Sequence, residues 1–160
     1  MNTTLNVKLV PQDLSHAQGL FQALSDPKIY EFLDEELPEN VDVVRRRIVQ
    51  LQRGGSKDGT EIWLNWSVFD GGRIVGFTQA TVYRDGLAEI AYVLTPSTWG
   101  TGVAARACKM MLTMLVKDHG VTRFAADTEL GNKRSQKLLD LLGFIETKRD
   151  ADEVFYARRA

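Results

Sequence analysis

The apolar positions of this chain follow two rhythms. LNVKLV, residues 5 to 10, reads as a short strand ended by Pro11. Leu14, Ala17, Leu20, Phe21 and Leu24 then recur at helical spacing, and Asp26-Pro27 breaks the pattern. YEFLDEELPEN reads as a loop with a helical turn. Asn40 is placed to cap a second helix with the inner stripe Val41, Val44, Ile48 and Leu51, ended by Gly54-Gly55. The rhythm then becomes β-like. EIWLNWSVFD and RIVGFTQATVYRD flank the hairpin signal Gly71-Gly72, and Asp85-Gly86 leads into AEIAYVL. A long helix follows, with Ala104, Ala107, Cys108, Met111, Leu112 and Leu115 on one stripe and His119-Gly120 closing it. TRFAADT predicts a strand, NKRSQKLLDLLGF a helix, and FIETKRD with EVFYARR a final hairpin.

The predicted order is β–αα–βββ–α–β–α–ββ, without repeats or low-complexity tracts. Strand, helix, strand through residues 88 to 128 implies a crossover and at least one parallel pair. The class is α+β or mixed α/β around one central sheet, expected as a single domain over residues 1–160. At 160 residues, 44% apolar and 26% charged, the chain can bury its core without disulfides or metals. Net charge is −1, which argues against a nucleic-acid binder despite Arg45-Arg46-Arg47 and the basic face of the last helix. One cysteine, no signal-peptide pattern at the start and no apolar run of membrane-spanning length predict a cytoplasmic protein away from the bilayer.

The densest chemistry lies in TPSTWGTGVAARA, residues 95 to 107. Glycines at the mouth of a helix let an anion approach backbone N–H groups that have no internal partner and sit at the positive end of the helix dipole. Gly100, Thr101, Gly102, Val103 and Ala104 supply such a run. It is either a pyrophosphate cradle or a glycine-rich turn without a ligand. No Gly-Lys-Ser/Thr follows and the third glycine of a dinucleotide fingerprint is missing, so neither of those motifs applies.

Three motifs, in order, resemble the GNAT family of acyl-CoA-dependent N-acetyltransferases. Ser97-Thr98-Trp99-Gly100-Thr101-Gly102 is similar to the family's Gln/Arg-x-x-Gly-x-Gly/Ala signature, AEIAYVL resembles its fourth strand, and NKRSQKLLDLLGF resembles its Asn-x-x-Ser/Ala…Leu-Gly-Phe helix. The combination looks most like the RimJ/RimL-type branch, whose members acetylate protein amino termini and whose relatives act on small amines. The resemblance implies a mostly antiparallel mixed sheet whose parallel fourth and fifth strands splay into a cofactor cleft, with helices on both faces. It implies acetyl-CoA as co-substrate, no metal, and a primary amine as acceptor. Dimers are common in the family, so a homodimer is compatible.

The same resemblance distributes roles. The pantetheine arm would pair with backbone around Val93, Leu94 and Thr95. Trp99 to Ala104 would hold the pyrophosphate, and Asn132 would bond the pantetheine or cap its own helix. Ser97 departs from the usual Gln/Arg. Direct attack by an amine in a ternary complex needs a base and a proton for the thiolate. Glu89, on one strand face with Ala91 and Val93, is the candidate base, or else a strand-end carboxylate; Glu61 competes with it. The tyrosine many family members carry seven residues after the Asn is Leu139 here. In the RimL-like branch a serine three residues after that Asn serves the thiolate, and the resemblance places Ser135 there; it is either that acid or a small residue that lets helix and sheet approach.

His16 falls on the polar side of the first helix, and with His119 is expected to be structural or solvated. Cys108 is expected to be inert packing. Trp63 and Phe69 share a face and either fill the core with Trp66 or border the acceptor site. The acidic run Glu31, Asp34, Glu35, Glu36, Glu39 and Asp42 is either a solvated loop or a negative rim that draws in a cationic amine. The reading from another class is a non-catalytic acyl-CoA-binding or regulatory module.

Overall fold

The computed structural model describes residues 5–160 and contains one seven-stranded sheet in the order β1-β2-β3-β4-β5-β7-β6. Its strands are β1 (Val7–Pro11), β2 (Glu61–Asp70), β3 (Arg73–Tyr83), β4 (Leu87–Leu94), β5 (Arg123–Glu129), β6 (Ile145–Arg149) and β7 (Glu153–Arg159). The helices are α1 (Ala17–Ala23), α2 (Val41–Leu51), α3 (Val103–His119) and α4 (Lys133–Leu141). Every predicted element is present. All strand pairs are antiparallel except β4 and β5, whose crossover through α3 makes them parallel.

Alternation along the strands decides what each face holds. Ala88, Ile90 and Leu94 of β4 pack with Ala107, Cys108, Met111 and Leu115 of α3, and Leu139 of α4 joins that core. Phe77 and Val93 turn the other way, toward Leu20 of α1, Leu24 at its C-cap, and Val44 and Ile48 of α2. Capping follows the sequence: the Asn40 side chain accepts from Val43 N–H at 3.2 Å, and Gly120 ends α3 in the left-handed conformation.

One irregularity has consequences for the site. Val68 pairs with Gly76 and Phe69 with Ile74, which leaves Val75 as an extra residue in β3. The extra residue shifts the alternation, so that Ile74 and Phe77 both face α1 and α2 while Val75 faces α3. The Val75 carbonyl then accepts from Thr95 N–H at 2.7 Å, anchoring the end of β4.

His16 differs from its expected position. A 3-10 turn, Leu14–His16, precedes α1, so the helical phase begins after the histidine rather than through it. His16 is buried, its Nδ1 lies 2.9 Å from the Ser67 hydroxyl, and its ring packs edge-on to Phe69. The role is structural, as expected, but the side chain is in the core and not solvated. Phe69 is half-buried against that ring.

The bulge depends on glycine at position 76. A Cβ there would sit 2.1 Å from the Val93 carbonyl oxygen, at a φ of +152°. Gly76→Ala is expected to cost roughly 3 kcal/mol or more of stability, the scale of enforced strain in a packed site. A fall in the urea midpoint at unchanged m-value measures it.

Candidate functional site

The site begins where two strands part. β4 and β5 pair only over Leu87–Arg123, Ala88–Phe124 and Glu89–Ala125, yet β4 runs on to Leu94 while β5 stays with β7. A gap therefore opens beyond Glu89. The Thr95–Val75 bond sets the register, in which odd-numbered β4 residues direct backbone groups at β3 and even-numbered ones direct theirs at the gap. Val93 and Thr95 are thus occupied by β3, and Tyr92 and Leu94 face the opening. The Leu94 carbonyl already accepts from Trp99 Nε1 at 3.0 Å.

At the open end lies the glycine loop. Pro96–Thr98 form a 3-10 turn in which Thr98 N–H and Oγ1 both donate to the Thr95 carbonyl, at 3.0 and 2.8 Å. Gly100 and Gly102 take φ values of +75° and +90°, open only to glycine at low cost, and Gly102 caps α3 without a side-chain bond. Among the described residues the amides of Gly102, Ala104 and Ala105 have no backbone acceptor, and a Cβ at Gly100 would meet nothing within 4 Å. Free amides, a helix dipole and open space are the features an anion needs. Ser97 is exposed, and the Arg73 guanidinium reaches to 3.5 Å from its hydroxyl.

α4 forms the opposite wall. The Asn132 side chain accepts from Ser135 N–H at 3.2 Å and so caps its own helix. The Ser135 hydroxyl lies 2.6 Å from the hydroxyl of Tyr92. Burial pushes the Tyr92 phenol well above its ordinary range, partly offset by the Ser135 bond, so it stays protonated. Leu139 is fully buried in the core. Next to Ser135, the Arg134 guanidinium lies 3.3 Å from the centroid of the Trp99 ring, joining the two walls.

Tyr92 and Arg134 are absent from the sequence reading. Tyr92 alternates with Ile90 and Leu94 and so reads as core, and Arg134 reads as a solvated first-turn residue. The signal available was the phenol itself: a tyrosine on a buried strand face needs a hydrogen-bond partner.

Glu89 stands at the vertex of the gap, exposed, accepting from Tyr83 Oη at 3.2 Å. Burial raises the Tyr83 phenol and the Glu89 carboxylate raises it further, which keeps Tyr83 a donor. Glu61 is engaged by Trp63 Nε1 at 2.8 Å. The helix face of the sheet carries a cavity lined by Leu24, Leu33, Val44, Phe77 and Val93, with Glu35 and Arg47 among its polar residues. Trp66 is core, whereas Trp63 borders a shallower hollow beside that cavity. The acidic run is partly neutralised: Arg47 pairs with Glu35 at 3.4 Å, Arg45 with Asp42 at 2.8 Å, and Glu31 lies near Arg134. The same pairs divide the triple-arginine run. Among the described residues no group of three or more His, Cys, Asp or Glu side chains could hold a metal ion, and no helix is long and apolar enough to cross a membrane.

Parted parallel strands beside a glycine-opened helix form a cleft with free amides at its mouth, suited to an elongated anionic ligand. The chain belongs to the acetyltransferase (GNAT) domain family, whose profile matches residues 6–145. No curated protein sequence matches it significantly. The fold is similar to RimL, a ribosomal L7/L12 alpha-N-protein acetyltransferase solved with coenzyme A, at a TM-score of 0.83 and 19% identity, covering 98% of this chain and 95% of that one. It is similar to a ribosomal-protein-S5-alanine acetyltransferase from Vibrio fischeri at 0.81 and 16%, covering 99% and 95%. A GNAT-family acetyltransferase from Bacillus anthracis gives 0.80 and 17%, covering 96% and 94%.

Cys108 is fully buried on α3, and burial pushes its thiol from 9.0 up to about 12. A raised thiol pKa contributes stability that is complete below the unfolded value and is lost as pH rises through the folded one. The native thiol is therefore expected to resist Ellman's reagent at about pH 8 and to react on unfolding, because only the thiolate attacks. Loss of stability between pH 9 and about 12, reduced in Cys108→Ala, is the accompanying titration result.

Proposed function

We propose that this acetyltransferase moves an acetyl group from acetyl-CoA to a primary amine, a protein amino terminus or a small cationic amine, by direct attack in a ternary complex. The observation that carries the reading is the gap beyond Glu89, bordered by the free amides of α3 and the Tyr92–Ser135 hydroxyl pair. The residues fit the co-substrate. Gly102, Ala104 and Ala105 offer amides to the pyrophosphate, and the Tyr92 and Leu94 backbone offers strand-like partners to the pantetheine. Acetyl-CoA supplies an activated thioester. That RimL and the S5-alanine enzyme act on ribosomal proteins supports, by likeness of fold, an α-amine among the acceptors.

Each of the chain's own groups then has one task. Glu89 takes the proton released as the amine nitrogen bonds the acetyl carbon, directly or through a water. The C–S bond breaks, and the sulfur receives the Ser135 hydroxyl proton as the serine oxygen takes one from solvent, so that no alkoxide is left. Tyr92, donating to Ser135 Oγ, turns the serine proton toward the gap and steadies the oxygen that loses it. A cytoplasmic setting accords with the single buried thiol.

Initial rates of free-thiol release, with acetyl-CoA and amine both varied, test the order of events. Intersecting double-reciprocal lines are expected; parallel lines would mean a covalent acetyl-enzyme. Glu89→Gln should lower kcat about 10²-fold with acetyl-CoA affinity unchanged in calorimetry. Normal turnover in that variant across the pH range removes Glu89 from the reaction.

The hydroxyl pair is tested by a double-mutant cycle in kcat. Ser135→Ala is expected to lose roughly 10- to 100-fold, and Ser135→Cys to recover part of it. Tyr92→Phe should lose about 10-fold alone and nothing further in the Ser135→Ala background, as expected of a residue that acts only through the serine. An undiminished Tyr92 effect in that background would assign the phenol a separate role.

A further inference from the structure

The glycine loop presents amides but no charged side chain. Residues 95–105 contain no Lys, Arg, Asp or Glu, and the first turn of α3 carries no acidic residue. Besides Gly102, Ala104 and Ala105, the Gly100 amide lacks a backbone acceptor among the described residues. The end of a helix dipole offers only about half a positive charge. A pyrophosphate diester is a dianion, so a full counter-charge beside these amides would strengthen its binding.

The fold brings such a charge from another strand. β3 and β4 keep one register from Val82–Ala88 to Gly76–Leu94, and the Thr95 N–H to Val75 carbonyl bond carries it a step further. Two residues beyond, the same register sets Arg73 opposite Ser97. The side chains meet: the Arg73 guanidinium lies 3.5 Å from the Ser97 hydroxyl. Arg73 is also held from behind, since it opens β3 directly after the Gly71-Gly72 turn and the next residue, Ile74, packs against the α1–α2 core. Asp70 is its partner across that turn, yet no salt bridge engages Arg73 among the described residues. Its charge is available at the loop, and the small Ser97 leaves room for it.

We infer that Arg73 is a binding residue for the pyrophosphate of the co-substrate, a cation brought by β3 to a loop that has none of its own. The inference rests on the acetyl-transfer reading, which names the ligand, and adds a residue to its site. Arg106, exposed as the fourth residue of α3, is the other cation near the loop and serves as a control.

The test is calorimetric titration with coenzyme A and with dephospho-coenzyme A, which keeps the pyrophosphate and lacks the ribose phosphate. Arg73→Ala is expected to raise Kd for both about tenfold, the scale of a charge-assisted bond partly exposed to solvent. Arg73→Lys should retain part of the affinity, because an ammonium keeps the charge without the planar fork. The difference between wild type and Arg73→Ala should shrink in about 0.5 M salt.

A double-mutant cycle with Ser97→Arg decides the matter. That substitution returns a cation to the loop, so it should restore most of the affinity in Arg73→Ala and add little to the wild type, where the place is filled. An unchanged Kd in Arg73→Ala, or an equal gain from Ser97→Arg in both backgrounds, overturns the inference while acetyl transfer stands. So does a loss confined to coenzyme A, which would put Arg73 at the ribose phosphate, or a Ser97→Arg substitution that repairs Arg106→Ala in place of Arg73→Ala. A wild-type protein that binds neither compound overturns the transfer reading and this inference with it.

Discussion

Three residue pairs hold β4 to β5, and the site depends on their stopping at Glu89. A parallel pair inside a sheet normally continues, because an unpaired backbone group away from water costs about as much as a lost hydrogen bond. Here the divergence is held from both sides. β5 keeps its full pairing with β7 through Glu129, and β4 keeps its pairing with β3 to Leu94. The bulge at Val75 then ties Thr95 back to β3, so the strand ends without swinging toward β5. The Trp99 indole meets one carbonyl of the open edge, which is itself short.

The element order was legible in the sequence because apolar periodicity is strong and the turns carry Gly-Gly, Asp-Gly and His-Gly at the right places. The glycine loop was legible as backbone chemistry for the same reason. Gly100 and Gly102 do take positive φ, and the N–H groups they expose are free. Contacts between distant segments were not legible. Tyr92 and Ser135 lie 43 positions apart, and only the crossover through α3 and β5 brings their hydroxyls to 2.6 Å. His16 was misplaced by a local effect: a 3-10 turn advances the chain by a different angle per residue than the helix it precedes. The bulge left no mark beyond a glycine in a strand, which sequence alone reads as a bulge or a close approach; at Gly76 it is both.

Linear reading does not show which charges of a run are paired. The run from Glu31 to Asp42 contains no basic residue, yet α2 folds back beside it and returns Arg45 and Arg47 to its carboxylates. These pairs are exposed and worth little individually. Their effect is on where negative potential survives. It is reduced at Glu35 and Asp42, whereas Asp34, Glu36, Glu39 and Glu89 form no salt bridge among the described residues and keep their negative charge on the rim and at the vertex of the gap.

In the proposed reaction, the leucine at position 139 leaves the proton donor to a different element. A tyrosine on α4 would bring a phenol to the gap at the cost of placing its ring among the core side chains that Leu139 now joins. With leucine there, α4 sets its apolar stripe into the core, and the phenol beside Ser135 is that of Tyr92 on the strand. A strand side chain is held on both sides by its neighbours, and this one reaches across to a serine rather than directly into the gap. The outcome is two hydroxyls in series where one would serve. The inner one is half-buried against the core and hard to ionise, and the outer one, on Ser135, is set by its partner. Such an arrangement favours orientation over acidity: the phenol keeps its proton, and what it supplies is the direction of the serine's.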